Sequence, residues 1–159
     1  MYRIIIVTDT SRRPQHAEIS RWIKGALDEA ETTIFDMNCC MAEHEKFYTI
    51  KDSEADILIT LDCAGFEMVN IMDVLSYNTL KMPMAHILFE RSSAHEEALS
   101  HLQNLSMFTY IPGSEDMEEF KAAFPLVPNV KRHELGDGMK GSADYKSWFE
   151  DYVNEYPDL

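Results

Sequence analysis

Basic residues are scarce in this chain: 14 Lys and Arg stand against 28 Asp and Glu, a formal net charge of −14 over 159 residues. A phosphate backbone needs a basic face, so a nucleic-acid partner is excluded as an expectation, and an anionic membrane surface is disfavoured. The same balance suits an acidic cytoplasmic protein of high solubility, or a module that engages a basic protein partner. Cysteine is also scarce. The three cysteines comprise the adjacent Cys39 and Cys40 and the separate Cys63. Neighbouring cysteines rarely bridge each other, and an odd count without framework spacing points to reduced thiols. Long apolar runs are missing too. MYRIIIVTDT carries a four-residue run, too short for a signal-peptide core, and nothing approaches a transmembrane length.

Several chemical signatures are absent. The six histidines, His16, His44, His86, His95, His101 and His133, show no ligand spacing, so no zinc site or other metal is expected. There is no Gly-x-Ser-x-Gly elbow. The first turn, TDTSRRP, contains no glycine with which a backbone could close on a diphosphate. The glycine-rich patch at Gly136, Gly138 and Gly141 lies late in the chain and reads as a linker, not a dinucleotide fingerprint. No cofactor is expected.

What is present is an alternation of apolar runs with helical periodicity. Ile4 to Val7, Thr32 to Phe35, Ile57 to Leu61, Ala85 to Phe89 and Met107 to Ile111 read as strands, with Val130 to Leu135 a short sixth. Ile19, Trp22, Ile23, Ala26, Leu27 and Ala30 form an amphipathic stripe. Further helices are expected over Met68 to Ser76, over Ala94 to Leu102 and after a Ser114 cap. Residues 37 to 54 read as an irregular connection with some helix. Tyr145, Trp148, Phe149, Tyr152, Val153 and Tyr156 place an aromatic stripe on a last helix, for docking on the sheet or for a partner. The pattern predicts an α/β fold: a three-layer Rossmann-like open parallel sheet of five or six strands, helices on both faces, in a single domain over 1–159. The expected strand order is 3-2-1-4-5 or close to it.

Ligands of such sheets bind beyond the carboxyl ends of the strands. The candidate ligand-binding residues are therefore Asp9, Thr10, Ser11 and Arg12 after the first strand, Asp62 and Gly65 after the third, and Glu90 after the fourth. Arg12 and Arg13 suit a phosphate or carboxylate at a helix start. Two carboxylates at neighbouring strand ends suit Mg²⁺ or acid/base work, but Asp at such turns is commoner as a cap. Asp9 and Asp62 resemble the acidic pocket of receiver domains, yet Ile111 stands where a receiver carries lysine. His86 inside an apolar strand reads as a core histidine. Cys63 beside Asp62 is disfavoured as a nucleophile, because an acidic neighbour raises a thiol pKa. No catalytic residue is assigned.

ADILITLDCAGF, MPMAHILFE and LSMFTYIPGSEDMEEFKAAFPLVPNVKRHELG, within residues 55 to 135, resemble the N-terminal Rossmann-like domain of bacterial GT-B-type glycosyltransferases, near the spore-maturation group. The matching positions are Asp56 to Thr60, Pro83 to Ile87, Met107 to Ile111, Glu115 to Phe124 and Asn129-Val130. The resemblance implies an isolated acceptor-side domain without the donor-nucleotide domain, with a sugar-related or nucleotide-sugar-related ligand. Three functional classes are thus expected. The first is a module binding a sugar-related or anionic small molecule. The second is an interaction or inhibitor module acting through its acidic surface or C-terminal helix. The third is a stand-alone enzyme using Asp9, Asp62 and Glu90.

Overall fold

The computed structural model describes residues 2–27, 29–69, 72, 75–89, 92–102, 107–112, 115–127 and 129–133. Six strands form one parallel sheet: β1 (Arg3–Thr8), β2 (Glu31–Asp36), β3 (Ile57–Leu61), β4 (Met84–Ile87), β5 (Met107–Pro112) and β6 (Val130–His133), in the order β2-β1-β3-β4-β5-β6. The expected order of 3-2-1-4-5 is corrected: β1 pairs with β2 on one side and with β3 on the other. Burial explains the difference. All five residues of β3 are buried, whereas β2 leaves Glu31 and Thr33 exposed. The Thr-rich β2 suits an edge, and the order 3-2-1 would have forced it inside.

Among the described residues four helices cover the two faces: α1 (His16–Ala26), α2 (Glu43–Lys51), α3 (Ser93–Ser100) and α4 (Met117–Ala123). Alternation along each strand sends successive side chains to opposite faces. Ile4, Ile6, Ile57, Ile59, Leu61, Ala85 and Ile87 meet Ile19, Ile23 and Ala26 of α1 on one face. Ile5, Val7, Leu58, Met84 and Met107 meet Ile50 of α2, Leu99 of α3 and Phe120 of α4 on the other. This is the α/β, Rossmann-like open sheet read from the sequence. Each apolar stripe removes on the order of 1.5–3 kcal/mol per large side chain from water.

Local boundaries differ from expectation in three places. The first stripe stops being helical at Ala26, where Leu27 N–H closes onto the carbonyls of Ile23 and Lys24; Ala30 lies beyond it. None of the described residues of the expected Met68 to Ser76 helix is α-helical: Val69 and Leu75 pair in an antiparallel bridge, Ser76 N–H reaches back to Met68 O at 2.9 Å, and a 3-10 turn follows at Ser76–Thr79. That long-range bond replaces the i→i−4 ladder a helix requires. The cap of α4 is Asp116, whose side chain accepts from Glu119 N–H at 3.0 Å, and not Ser114, which lies outside the described residues. Within 37–54 the helix is α2, which takes up Phe47 and Ile50. The aromatic C-terminal stripe and the Gly136–Gly141 patch also lie outside the described residues, as does Glu90.

Candidate functional site

The strand order reverses direction between β1 and β3, and the region beyond their carboxyl ends is where open α/β sheets place a ligand crevice. Two turns line it: residues 9–15, leading from β1 into α1, and residues 62–67, after β3. Asp9, Thr10, Ser11 and Arg12 sit in the first and Asp62 and Gly65 in the second.

His16, 2% exposed in the first turn of α1, joins the two turns. Asp9 N–H donates to His16 Nδ1 at 3.2 Å, so Nδ1 carries the lone pair and the proton sits on Nε2. Nε2 then donates to Asp62 Oδ2 at 3.1 Å. Arg13 Nη1 donates to the same oxygen at 2.7 Å, and Phe89 N–H donates to Asp62 Oδ1 at 2.8 Å. Both oxygens of Asp62 are therefore occupied. Burial pushes the Asp62 pKa up, but the bonds from His16 and Phe89 and the charge of Arg13 outweigh it and hold the carboxyl below the usual carboxylate range.

Asp9 closes its own turn. Its Oδ1 accepts from Ser11 N–H at 3.2 Å and from the Ser11 hydroxyl, and its Oδ2 lies 3.4 Å from Arg12 Nε. Thr10 ties this turn to β2: its N–H and hydroxyl donate to the two oxygens of Asp36 at 3.1 and 2.5 Å. Asn38 N–H adds a bond to Asp36 Oδ1 at 3.0 Å. Partial burial opposes ionisation of Asp36, and these donors overcome it, so its pKa is lowered. The Asp residues thus act as clamps on the turns. Among the described residues no group of three or more His, Cys, Asp or Glu is placed to hold a metal ion.

The outward-facing group is Arg12. Its side chain is 59% exposed and makes only long contacts, to Asp9 and to Glu67 at 3.9 Å across the crevice. The helix start offers less than expected. The N–H groups of His16, Ala17 and Glu18 already donate to Arg13, Pro14 and Gln15 carbonyls, so an anion here would meet guanidinium and not open helix N–H groups. Around the crevice four carboxylates (Asp9, Asp36, Asp62, Glu67) face two guanidinium groups (Arg12, Arg13).

Gly65 has a structural reason. Its φ is +86°, and a Cβ there would lie 2.2 Å from the Tyr77 hydroxyl. That hydroxyl donates to Ala64 O at 2.8 Å. Asp62 and Cys63 also take left-handed φ values, 47° and 58°. Such pairs persist only when neighbouring contacts over-determine them, as the four donors around Asp62 and its turn do. The Cys63 thiol is buried, and burial followed by the Asp62 charge pushes its pKa up, which removes it as a nucleophile. His86 is fully buried in β4, sharing a 2.7 Å bond between Nδ1 and Thr60 Oγ1. Its Nε2 has no hydrogen-bond partner among the described residues, and the ring packs edge-to-face on Phe66 at 5.1 Å.

Arg13, expected to meet an anion in the first turn, is bonded to Asp62 instead, and His16 and Asp36 complete the site from outside the candidate ligand-binding set. Asp36 closes β2, a strand end as informative as Asp9 or Asp62. His16 lies one turn into α1, where a strand-end search does not reach.

No family model matches the chain, and no curated protein matches it. Two solved structures of type B ribose 5-phosphate isomerase from Trypanosoma cruzi are similar over the full length. One, of a mutant, is 12% identical, with 99% of this chain and 98% of that chain covered and a TM-score of 0.36. The other is 10% identical, covers 100% and 99%, and has the same TM-score. At these values the likeness carries no argument about ligand or chemistry.

Proposed function

We propose that the crevice between β1 and β3 binds a small, hydroxyl-rich, sugar-related ligand bearing at most one anionic group. The observation that carries this reading is the contrast between carboxylates bonded at short range within the protein and an exposed Arg12 guanidinium held only by longer ion pairs to Asp9 and Glu67. A guanidinium binds phosphate or carboxylate through a planar fork of donors. A surplus of carboxylates around it disfavours a polyphosphate, and the glycine-free turn offers no backbone cradle for one. Hydroxyl groups both donate and accept, so they suit a rim that mixes carboxylates, Thr10 and Asn38.

The resemblance of residues 55–135 to acceptor-side glycosyltransferase domains supports the same ligand class. The reading is of a binding module. Both ring nitrogens of His16 are engaged within the protein, and Cys63 is held as a thiol, so neither offers a free general base or nucleophile. Three free cysteines, with no helix among the described residues long and apolar enough to cross a membrane, support a cytoplasmic setting for it.

Thermal shift against sugars, sugar monophosphates, nucleotide sugars and nucleotides tests this. A ligand that binds only the folded state raises the melting temperature, by about 2.7 kcal/mol of stabilisation at a hundredfold excess over Kd. The expected result is a shift with a sugar monophosphate that is lost in Arg12→Ala. Flat curves across the panel overturn the reading and leave the acidic interaction module.

A further inference from the structure

Four of the five residues in Met37-Asn38-Cys39-Cys40-Met41, between β2 and α2, carry sulfur. The segment is held at both ends. Met37 is buried, its N–H donates to Thr8 O at 2.8 Å, and its carbonyl accepts Lys46 Nζ at 2.7 Å. Asn38 N–H is bonded to Asp36. At the far end the Thr49 hydroxyl reaches Met41 Sδ at 3.7 Å. Between these anchors Cys39 and Cys40 are both free and exposed, and Met41 is 43% exposed.

We propose that Cys39 and Cys40 form a chelating dithiol for one thiophilic monovalent metal ion of the Cu(I) class, with the Met41 thioether as third ligand. Adjacent residues across a trans peptide hold their Cα atoms about 3.8 Å apart, below the roughly 4.4–6.8 Å of relaxed disulfides. A bond between them is therefore strained and readily reduced, and the pair rests as two thiols. An ion inserted between the sulfurs lengthens the bridge and relieves that constraint. Thiolate and thioether ligands select Cu(I). Structural Zn²⁺ requires four tetrahedral ligands, and no third His, Cys, Asp or Glu is placed with this pair among the described residues. As each sulfur–metal bond forms, its thiol proton leaves to solvent. Two protons are released per ion and no electron is transferred. The site is separate from the crevice ligand proposed above and stands without it.

Anaerobic titration of the reduced full chain with Cu(I), against a chromogenic Cu(I) chelator, tests the assignment. The wild-type chain is expected to withdraw one equivalent. Cys39→Ser/Cys40→Ser withdraws none, although Cys63 remains, and Cys63→Ala behaves as wild type. Met41→Leu weakens binding by roughly 10-fold, on the scale of supporting interactions at metal sites. Copper K-edge absorption of the wild-type complex, which needs no variant, is expected to show sulfur scatterers only. Failure to compete, binding retained without both thiols, or nitrogen and oxygen scatterers overturn the proposal. Half an equivalent per chain with doubled mass in light scattering overturns the intrachain chelate. Unchanged affinity in Met41→Leu overturns the three-sulfur site.

Discussion

His16 Nε2 lies 3.1 Å from Asp62 Oδ2, across 46 residues of sequence, and this single bond locks the first turn of α1 to the end of β3. The opposite nitrogen of the same ring accepts from Asp9 N–H. One buried imidazole therefore ties the two turns together, and its tautomer is set by the backbone of Asp9, just after β1.

His16→Ala is expected to destabilise the fold by about 2–4 kcal/mol. It leaves a cavity, strips one donor from a buried carboxylate and orphans Asp9 N–H. Urea unfolding reads the loss as a lower midpoint at unchanged slope. Asp62→Ala should cost a similar amount, and the double variant should cost less than the sum, because the two side chains share one bond. Strict additivity would show that the ring and the carboxylate act independently.

Arg12 and Arg13 are neighbours with opposite expected behaviour. Arg12 is exposed and its ion pairs are long, so Arg12→Ala should shift stability by less than about 0.5 kcal/mol while removing the ligand-induced rise in melting temperature. Arg13 is largely buried against Asp62, and its guanidinium sits 5.8 Å from the centre of the Phe89 ring. Arg13→Ala should lower the melting temperature of the free protein. Differential scanning calorimetry with and without a sugar monophosphate separates the two effects.

Gly65→Ala is expected to cost about 2 kcal/mol or more. The position combines a left-handed φ with a Tyr77 hydroxyl that would overlap any Cβ. Tyr77→Phe removes the nearest atom but leaves the ring carbon at 3.0 Å. The double variant should thus recover part of the penalty, measurable as positive coupling in a double-mutant cycle. A Gly65→Ala protein of wild-type stability would show that the turn relaxes away from Tyr77.

Much of the fold was legible because Ile4 to Thr8 of β1, all of β3 and β4, and Met107 to Ile111 of β5 are buried in near-continuous apolar runs. The strand order was less so. It hinged on β2 being an edge, and the weak apolarity of Thr32-Thr33 was its only sign. Met68 and Leu75 are spaced as in a helix, yet both pack on the core without being helical themselves, and Ser76 N–H bonds Met68 O. Strand-end reasoning brought Asp9, Thr10, Arg12 and Asp62 to one crevice. It did not reveal that most of their polar atoms would bond one another, since partners such as His16 and Asp36 follow from tertiary register and not from local pattern.

The acid limb of stability should begin above the carboxylate range. His86 is buried without access to water, and burial lowers its pKa to about 3 from an ordinary 6.5. The unfolded chain therefore binds a proton that the folded chain refuses. The stabilisation is fully present above about pH 6.5 and declines as pH falls from there toward 3, by up to about 1.4 kcal/mol per pH unit. Asp62 and Asp36, whose pKa values are lowered in the fold, contribute stability that is complete above the ordinary carboxylate pKa and disappears only below it. The two windows can be separated. Replacing both buried partners, as Thr60→Val/His86→Leu, removes the polar pair with little net cost and should flatten the curve between pH 6.5 and 4.5. Urea midpoints at half-unit steps check this. A double variant that keeps the wild-type slope in that interval would assign the acid sensitivity to another group.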